Sequence, residues 1–294
     1  MPAKTTILLR LAPLAIPFLA VFCGGLVLAA AQSLGYFSPL PALPALSADA
    51  PTLSGYAALF HGLFPASFFF TLYVALASAS LSTALGAFMA YLVWGLPGGF
   101  RAAATIYKIP LILPHIAVAF IILILFSQSG FLASVGHALG LVETPADFPA
   151  LLYSGSGLGL IAAYAYKGLG FVILLAYAVL SRLDRRLIAA ARMLGAGPFI
   201  VFTRIALPHM AQALGASFII LFLYAFGGFD IPYLLSESNP GMLSILTYNL
   251  YFNRDLANRP EAMAALTIML LFSAVFVALY ARIASRMKNT ERKL

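Results

Sequence analysis

Lys167 and Asp230 are the residues of this sequence best placed to do chemistry where water is scarce. Each lies in an apolar stretch, Lys167 in Tyr164-Ala165-Tyr166-Lys167-Gly168 and Asp230 in Gly227-Gly228-Phe229-Asp230-Ile231-Pro232. An ammonium in the middle of a membrane helix costs on the order of 3 kcal/mol on insertion scales, so Lys167 must face a cavity or a partner rather than lipid. Around Asp230, two glycines and a proline are able to open the helix locally. Two readings stand. The charges are structural, as an ion pair or as a snorkelling Asp at the interface, or they line a path for a solute, an exposed Asp230 favouring a cation and an exposed Lys167 an anion. His115 and His209 each follow a proline and share no ligand spacing with another His, Asp or Glu, so no metal site is expected. The phosphate-cradling pattern Gly-x-x-x-x-Gly-Lys-Ser/Thr is absent, which excludes nucleotide binding by that device. No His-Glu-x-x-His, Gly-x-Gly-Asp or facing Ser/His pair supports an intramembrane enzyme. The single cysteine, Cys23, gives no disulfide framework.

The elements that must position these residues are membrane helices. Of 294 residues, 63% are hydrophobic and 9% charged, where a soluble domain carries roughly a quarter charged residues. Apolar runs of membrane-crossing length recur along the chain, too long and too little alternating for barrel strands. The expected fold is therefore all-α and polytopic, with six spans at about 9–33, 66–95, 109–127, 156–180, 211–235 and 261–283. The first run exceeds the h-region of a signal peptide and reads as a retained anchor. With the irregular, Pro- and Ala-rich linker after it, it makes an N-terminal part, 1–65, ahead of a five-span core, 66–294. Tyr91 and Trp94 read as anchors at the membrane surface, as do His115 and His209 near the cytosolic ends of spans three and five. No repeat divides the chain into the inverted halves of a secondary transporter.

Cations fix the expected orientation. Fourteen of the 17 Lys and Arg lie near the chain ends, after span two or after span four. Lys167 is inside a span, and only Arg254 and Arg259 lie on the other side. The positive-inside rule then puts both termini in the cytosol and the loops at 34–65, 128–155 and 236–260 outside. The formal charge of +8 reflects this bias and implies a lipid partner rather than nucleic acid.

The cytosolic stretch between spans four and five carries the most specific pattern. It reads Ala189-Ala190-Ala191-Arg192-Met193-Leu194-Gly195, then nine residues, then Ile205-Ala206-Leu207-Pro208. The composition of 185–194 predicts a helix, Gly195 and Gly197 a break, and Pro198 the start of a second short helix. Leu207-Pro208 fixes how the backbone passes into span five. This spacing resembles the signature of the membrane permease subunits of binding-protein-dependent type I ABC importers, which reads Glu-Ala-Ala, three residues, Gly, nine residues, Ile, any residue, Leu-Pro. Ala189 stands where that family carries its glutamate, so the glutamate's ion pair is not carried over.

The resemblance covers about residues 66–283 and implies a non-catalytic transport subunit of a bacterial inner membrane. Ala189, Ala190, Ala191, Arg192, Gly195, Ile205, Leu207 and Pro208 would form a coupling helix seated on a cytosolic ABC ATPase dimer. A second permease, a different chain in the polyamine-like subgroup, would complete the pathway, and an external solute-binding protein would deliver the solute. ATP and magnesium would belong to the ATPase, and this chain would hold no cofactor. The stretches Phe226–Leu235 and Asp255–Ala264 look like the spermidine/putrescine-type permeases, a subgroup that adjoins iron, sulfate and thiamine permeases. The competing reading is an ATP-independent carrier or channel that uses Lys167 and Asp230.

Overall fold

The computed structural model of the chain describes residues 2–36, 51–97, 103–237, 239–252 and 258–291, and the side chains of these except 2–9, 103–104 and 285–291. The linker at 37–50 and the side chains of Lys4, Arg101, Arg254, Arg286, Lys288, Arg292 and Lys293 fall outside what is described. Helices follow one another as α1 (Pro2–Ser33), α2 (Ser54–His61), α3 (Phe64–Gly95), α4 (Ile109–Ile112), α5 (His115–Phe126), α6 (Phe131–Ala138), α7 (Leu158–Leu180), α8 (Arg185–Met193), α9 (Pro198–Val201), α10 (Leu207–Gly227), α11 (Asp230–Leu235), α12 (Leu243–Phe252) and α13 (Arg259–Glu291). No strand occurs among the described residues, and six helical stretches there are long and apolar enough to cross a membrane. The all-α polytopic expectation holds, as it must where lipid leaves no solvent partner for backbone groups.

The described residues divide into two compact units, 1–65 with 246–294, and 66–245. In the first, α1 and α2 pack on α13. Gly55 permits the close approach: a Cβ there would lie 3.1 Å from the Pro260 carbonyl. The Ser33 and Tyr56 hydroxyls meet at 2.8 Å. The apolar surface of α1 is left for lipid, with Leu14 and Val21 almost fully exposed.

The second unit is built on a seam of small residues. Ser82, Gly86 and Ala90, four apart on α3, present one face, and α7 closes on it. A Cβ on Gly86 would lie 2.6 Å from that of Val172, and one on Gly168 would lie 2.5 Å from the Ser82 hydroxyl. Ser82 donates to the Ser78 carbonyl at 2.8 Å and reaches the Ala165 carbonyl at 3.4 Å. Small residues let membrane helices approach backbone to backbone, where packing replaces the missing hydrophobic drive.

Two spans differ from their sequence reading. The third does not run unbroken from 109: α4 stops at Ile112, Leu113 and Pro114 are extended, and the membrane-length stretch begins at His115. The fifth runs from Pro198 to Gly227 rather than from about 211 to 235. Its helix passes through Pro208 at one end, and at the other Gly228 leaves the helical region with ψ of 143°. The opening expected around Asp230 is this break, after which α11 starts afresh.

Candidate functional site

The stretch between α7 and α10 is a stiff, cored loop. Asp184 caps α8, its carboxylate accepting from the Arg186 N–H at 2.9 Å. At the other end Gly195 takes φ of +85°. Its N–H donates to the Arg192 carbonyl and that of Ala196 to Ala191, both at 3.0 Å. This Schellman closure needs the left-handed backbone that glycine adopts without penalty. Pro198 opens α9 as its first residue. The helix then widens into a π turn at Phe202–Ala206, where the Leu207 N–H reaches back to Phe202. The wide turn lies directly before Pro208, whose ring would clash with the Arg204 carbonyl in a regular helix.

Beneath the loop, Ile188, Val201, Ala206 and Met210 pack with Leu180 and Leu183 and with Ala87 and Ala90 of α3. Ile205 and Leu207 press against the same cluster, so the signature's apolar positions are packing positions. Tyr91 and Trp94, read from sequence as membrane-surface anchors, hold this loop. The Tyr91 hydroxyl donates to the Pro198 carbonyl at 3.2 Å and its ring meets Phe202 at 5.1 Å. The Arg185 guanidinium lies over Trp94 at 5.4 Å. Outward, the loop is apolar at its tip: Met193 is 90% exposed, Leu194 89% and Phe199 76%. Ala189 and Ala190 are exposed beside them, and Pro208 is exposed at the start of α10. A notch of about 230 Å³ lies between Trp94, Arg185, Ile188, Ala189 and Arg192, and the small Ala189 side chain leaves it open.

Lys167, inside the fourth membrane-length helix, and Asp230, just past the end of the fifth, occupy a second locality around the break in span three. The Lys167 ammonium donates to the Pro110 carbonyl at 2.7 Å, to the Leu113 carbonyl, and more distantly to Leu111 at 3.5 Å. Asp230 is exposed at the first turn of α11. No ion pair within 4.0 Å joins them among the described residues, so the pairing weighed from the sequence is not formed. Near Asp230 the structure joins His115, read from the sequence as a membrane-surface residue, to Tyr224 and Tyr164, which the sequence did not single out. The His115 ring packs on Tyr224 at 4.8 Å, and Tyr224 meets Tyr164 edge-on at 5.9 Å. The carboxylate is within electrostatic reach of all three. The Tyr164 hydroxyl is buried without a hydrogen-bond partner among the described residues and points toward Gly228, where a Cβ would meet it at 2.6 Å. His115 thus packs beside the end of α10 that is far from the loop, because its partner Tyr224 lies three residues before Gly227. Tyrosines in apolar runs, whose hydroxyls need partners, were the signal available for this cluster.

In the stretch between α6 and α7, Asp147 accepts from the Thr144 N–H at 2.7 Å and hydroxyl at 2.9 Å. These bonds hold its carboxyl below the usual carboxylate range.

The family model for the binding-protein-dependent transport system inner membrane component matches residues 82–289, which include the whole loop and both charges. The chain belongs to this family. It is a type I ABC importer permease, a non-catalytic subunit whose family leaves ATP hydrolysis to a partner ATPase. The permease is similar to the spermidine/putrescine transport system permease protein PotB of Escherichia coli (strain K12), 27% identical over 73% of this chain and 79% of that one. It is also similar to the glucose import system permease protein GlcT of Saccharolobus solfataricus, 26% identical over 48% of this chain, and the match spans 46% of that protein's length. Its fold is that of a bacterial ABC transporter involved in the import of the acidic polysaccharide alginate, with TM-score 0.79 and 18% identity over 97% of this chain and 96% of that one. A bacterial alginate ABC transporter in complex with an alginate pentasaccharide-bound periplasmic protein gives TM-score 0.77 and 19% identity over 97% of this chain and 94% of that one.

Proposed function

We propose that this permease forms one half of a solute pathway in a bacterial inner membrane, and that its α8–α9 loop seats on a cytosolic ATPase dimer. The observation that carries the proposal is the loop itself: capped, cored from below and apolar at its exposed tip. A patch of Met193, Leu194 and Phe199 held on a stiff base has the features of a docking surface. Displacement applied there passes into α3, α7 and α10 through the shared core, because close-packed interiors transmit strain. The ATPase supplies ATP and magnesium, a second, different permease closes the pathway, and an external solute-binding protein delivers to the outward loops. The solute is a small cation of the polyamine kind. Supporting that class are the exposed Asp230 beside aromatic rings and the similarity to PotB. Lys167, its donors turned to backbone carbonyls, offers nothing to an anion.

The test is to extract the tagged chain from its native membrane, identify what co-purifies, and measure uptake in proteoliposomes with and without ATP. An ATPase and a solute-binding protein are expected, with uptake only when ATP is present. Gly195→Glu should leave membrane insertion intact yet abolish most uptake, since a side chain in the left-handed region costs roughly 1–2 kcal/mol and deforms the loop tip. A chain that purifies alone and transports without ATP would overturn the proposal in favour of a carrier.

A further inference from the structure

The break in span three leaves part-buried backbone carbonyls without backbone partners. In a continuous helix the Pro110 carbonyl would accept from residue 114, but residue 114 is proline and has no N–H. Leu113 and Pro114 are extended, with ψ of 134° and 148°, so the helix register is lost before α5 resumes at His115. The carbonyls of Pro110, Leu111 and Leu113 are therefore orphaned together. Lys167 of α7 reaches all three, fifty-four to fifty-seven positions away in sequence, and an ammonium has three N–H groups to give.

We propose that Lys167 is the cap of this broken span, a positioning residue that holds the start of α5 in place rather than a ligand for the solute. The cap sets where His115 stands, and His115 packs on Tyr224. It also sets α5, which packs on both α7 and α11, the helix that begins at Asp230. Lys167 thus builds the wall on which Asp230 is displayed, while its own charge is spent on carbonyl oxygens. Removing the ammonium leaves two ways to satisfy the carbonyls: collapse of the break, or repair of the helix if residue 114 regains an N–H.

The experiment uses the assembled complex in its membrane. Cys23 is replaced by Ser, and a cysteine pair is introduced as His115→Cys with Tyr224→Cys, so that disulfide formation under copper phenanthroline reports the α5–α10 contact without reference to transport. Lys167→Met should slow cross-linking about tenfold, the scale expected when a buried acceptor loses its partner. Lys167→Arg, which keeps the donors, should stay within about twofold, on the same hydrogen-bond reasoning. Pro114→Ala added to Lys167→Met should restore the amount of protein in the membrane but not the cross-link, because the repaired helix carries residue 115 elsewhere. Wild-type cross-linking in Lys167→Met overturns the proposal. So does a double variant that fails to accumulate, since the carbonyls would then not be the reason Lys167 is needed, or one that regains the cross-link. If Lys167→Met fails to accumulate alone, the double variant decides. An intact cross-link with uptake lost would make Lys167 a solute ligand and overturn the positioning role, without touching the assignment as an importer subunit.

Discussion

Asp230 is an exposed carboxylate within electrostatic reach of His115, Tyr164 and Tyr224, and its isosteric amide isolates what the charge does. The side chain lies at the first turn of α11, within electrostatic reach of Tyr224, and takes part in no ion pair with Lys167. Asp230→Asn keeps the shape while removing the charge and turning one acceptor oxygen into a donor. If a cationic solute passes this wall, the loss of a hydrogen bond to a charged group, about 1.5–3 kcal/mol, should raise the apparent KM for uptake by about tenfold or more. ATPase co-purification should be unchanged, because the loop lies at the other end of α10. Uptake kinetics identical to wild type would take Asp230 out of the pathway. Lys167 teaches the complementary lesson at this scale. An intramembrane charge is a functional hypothesis by default, but its partner has to be identified first, and here the partner is the backbone.

At the level of elements, the α3–α7 seam depends on side chains that are hardly there. Gly86→Leu drives a branched side chain into Val172, and overpacking of this kind costs about 1–3 kcal/mol or more. The expected outcome is a lower thermal midpoint and yield of the solubilised protein. Gly24→Leu is the matched control, because a Cβ at Gly24 on α1 meets nothing within 4 Å and should leave both unchanged. Equal losses in the two variants would refute the seam. Which elements the sequence revealed follows from how local their causes are. The α8 helix, its end at Gly195 and the restart at Pro198 are legible because capping and backbone preference act within a few residues. The start of span five was misread because Arg204, Pro208 and His209 look like loop, while the π turn at Phe202–Ala206 carries the helix through them. The break in span three was hidden for the opposite reason. Its prolines are visible, but the donor that makes the break tolerable comes from α7. The aromatic wall around Asp230 likewise joins residues from α5, α7 and α10, a juxtaposition that no periodicity reports.

For the whole molecule, the distribution of cations sets an orientation that the fold must share. Five arginines, Arg182, Arg185, Arg186, Arg192 and Arg204, lie in or beside the α8–α9 loop, and further cations crowd both chain ends. If each of the six membrane-length helices among the described residues crosses once, the C-terminus returns to the side of the N-terminus, and the loop after the fourth crossing is expected on that side as well. Cations near short loops are retained in the cytosol, so this side is expected to be cytosolic. Two exposed positions separated by one membrane-length helix, Leu158–Leu180, make the expectation measurable. Met193 is at the loop tip, and Leu141, 76% exposed, follows α6. In a Cys23→Ser background, Leu141→Cys should react with a membrane-impermeant maleimide added to spheroplasts, while Met193→Cys should react only after the membrane is opened. The reverse pattern would put the loop outside, where no ATP is available, and would remove both the orientation and the proposed coupling. Labelling of Met193→Cys that is blocked by the bound ATPase even in opened membranes would place that subunit on the loop tip.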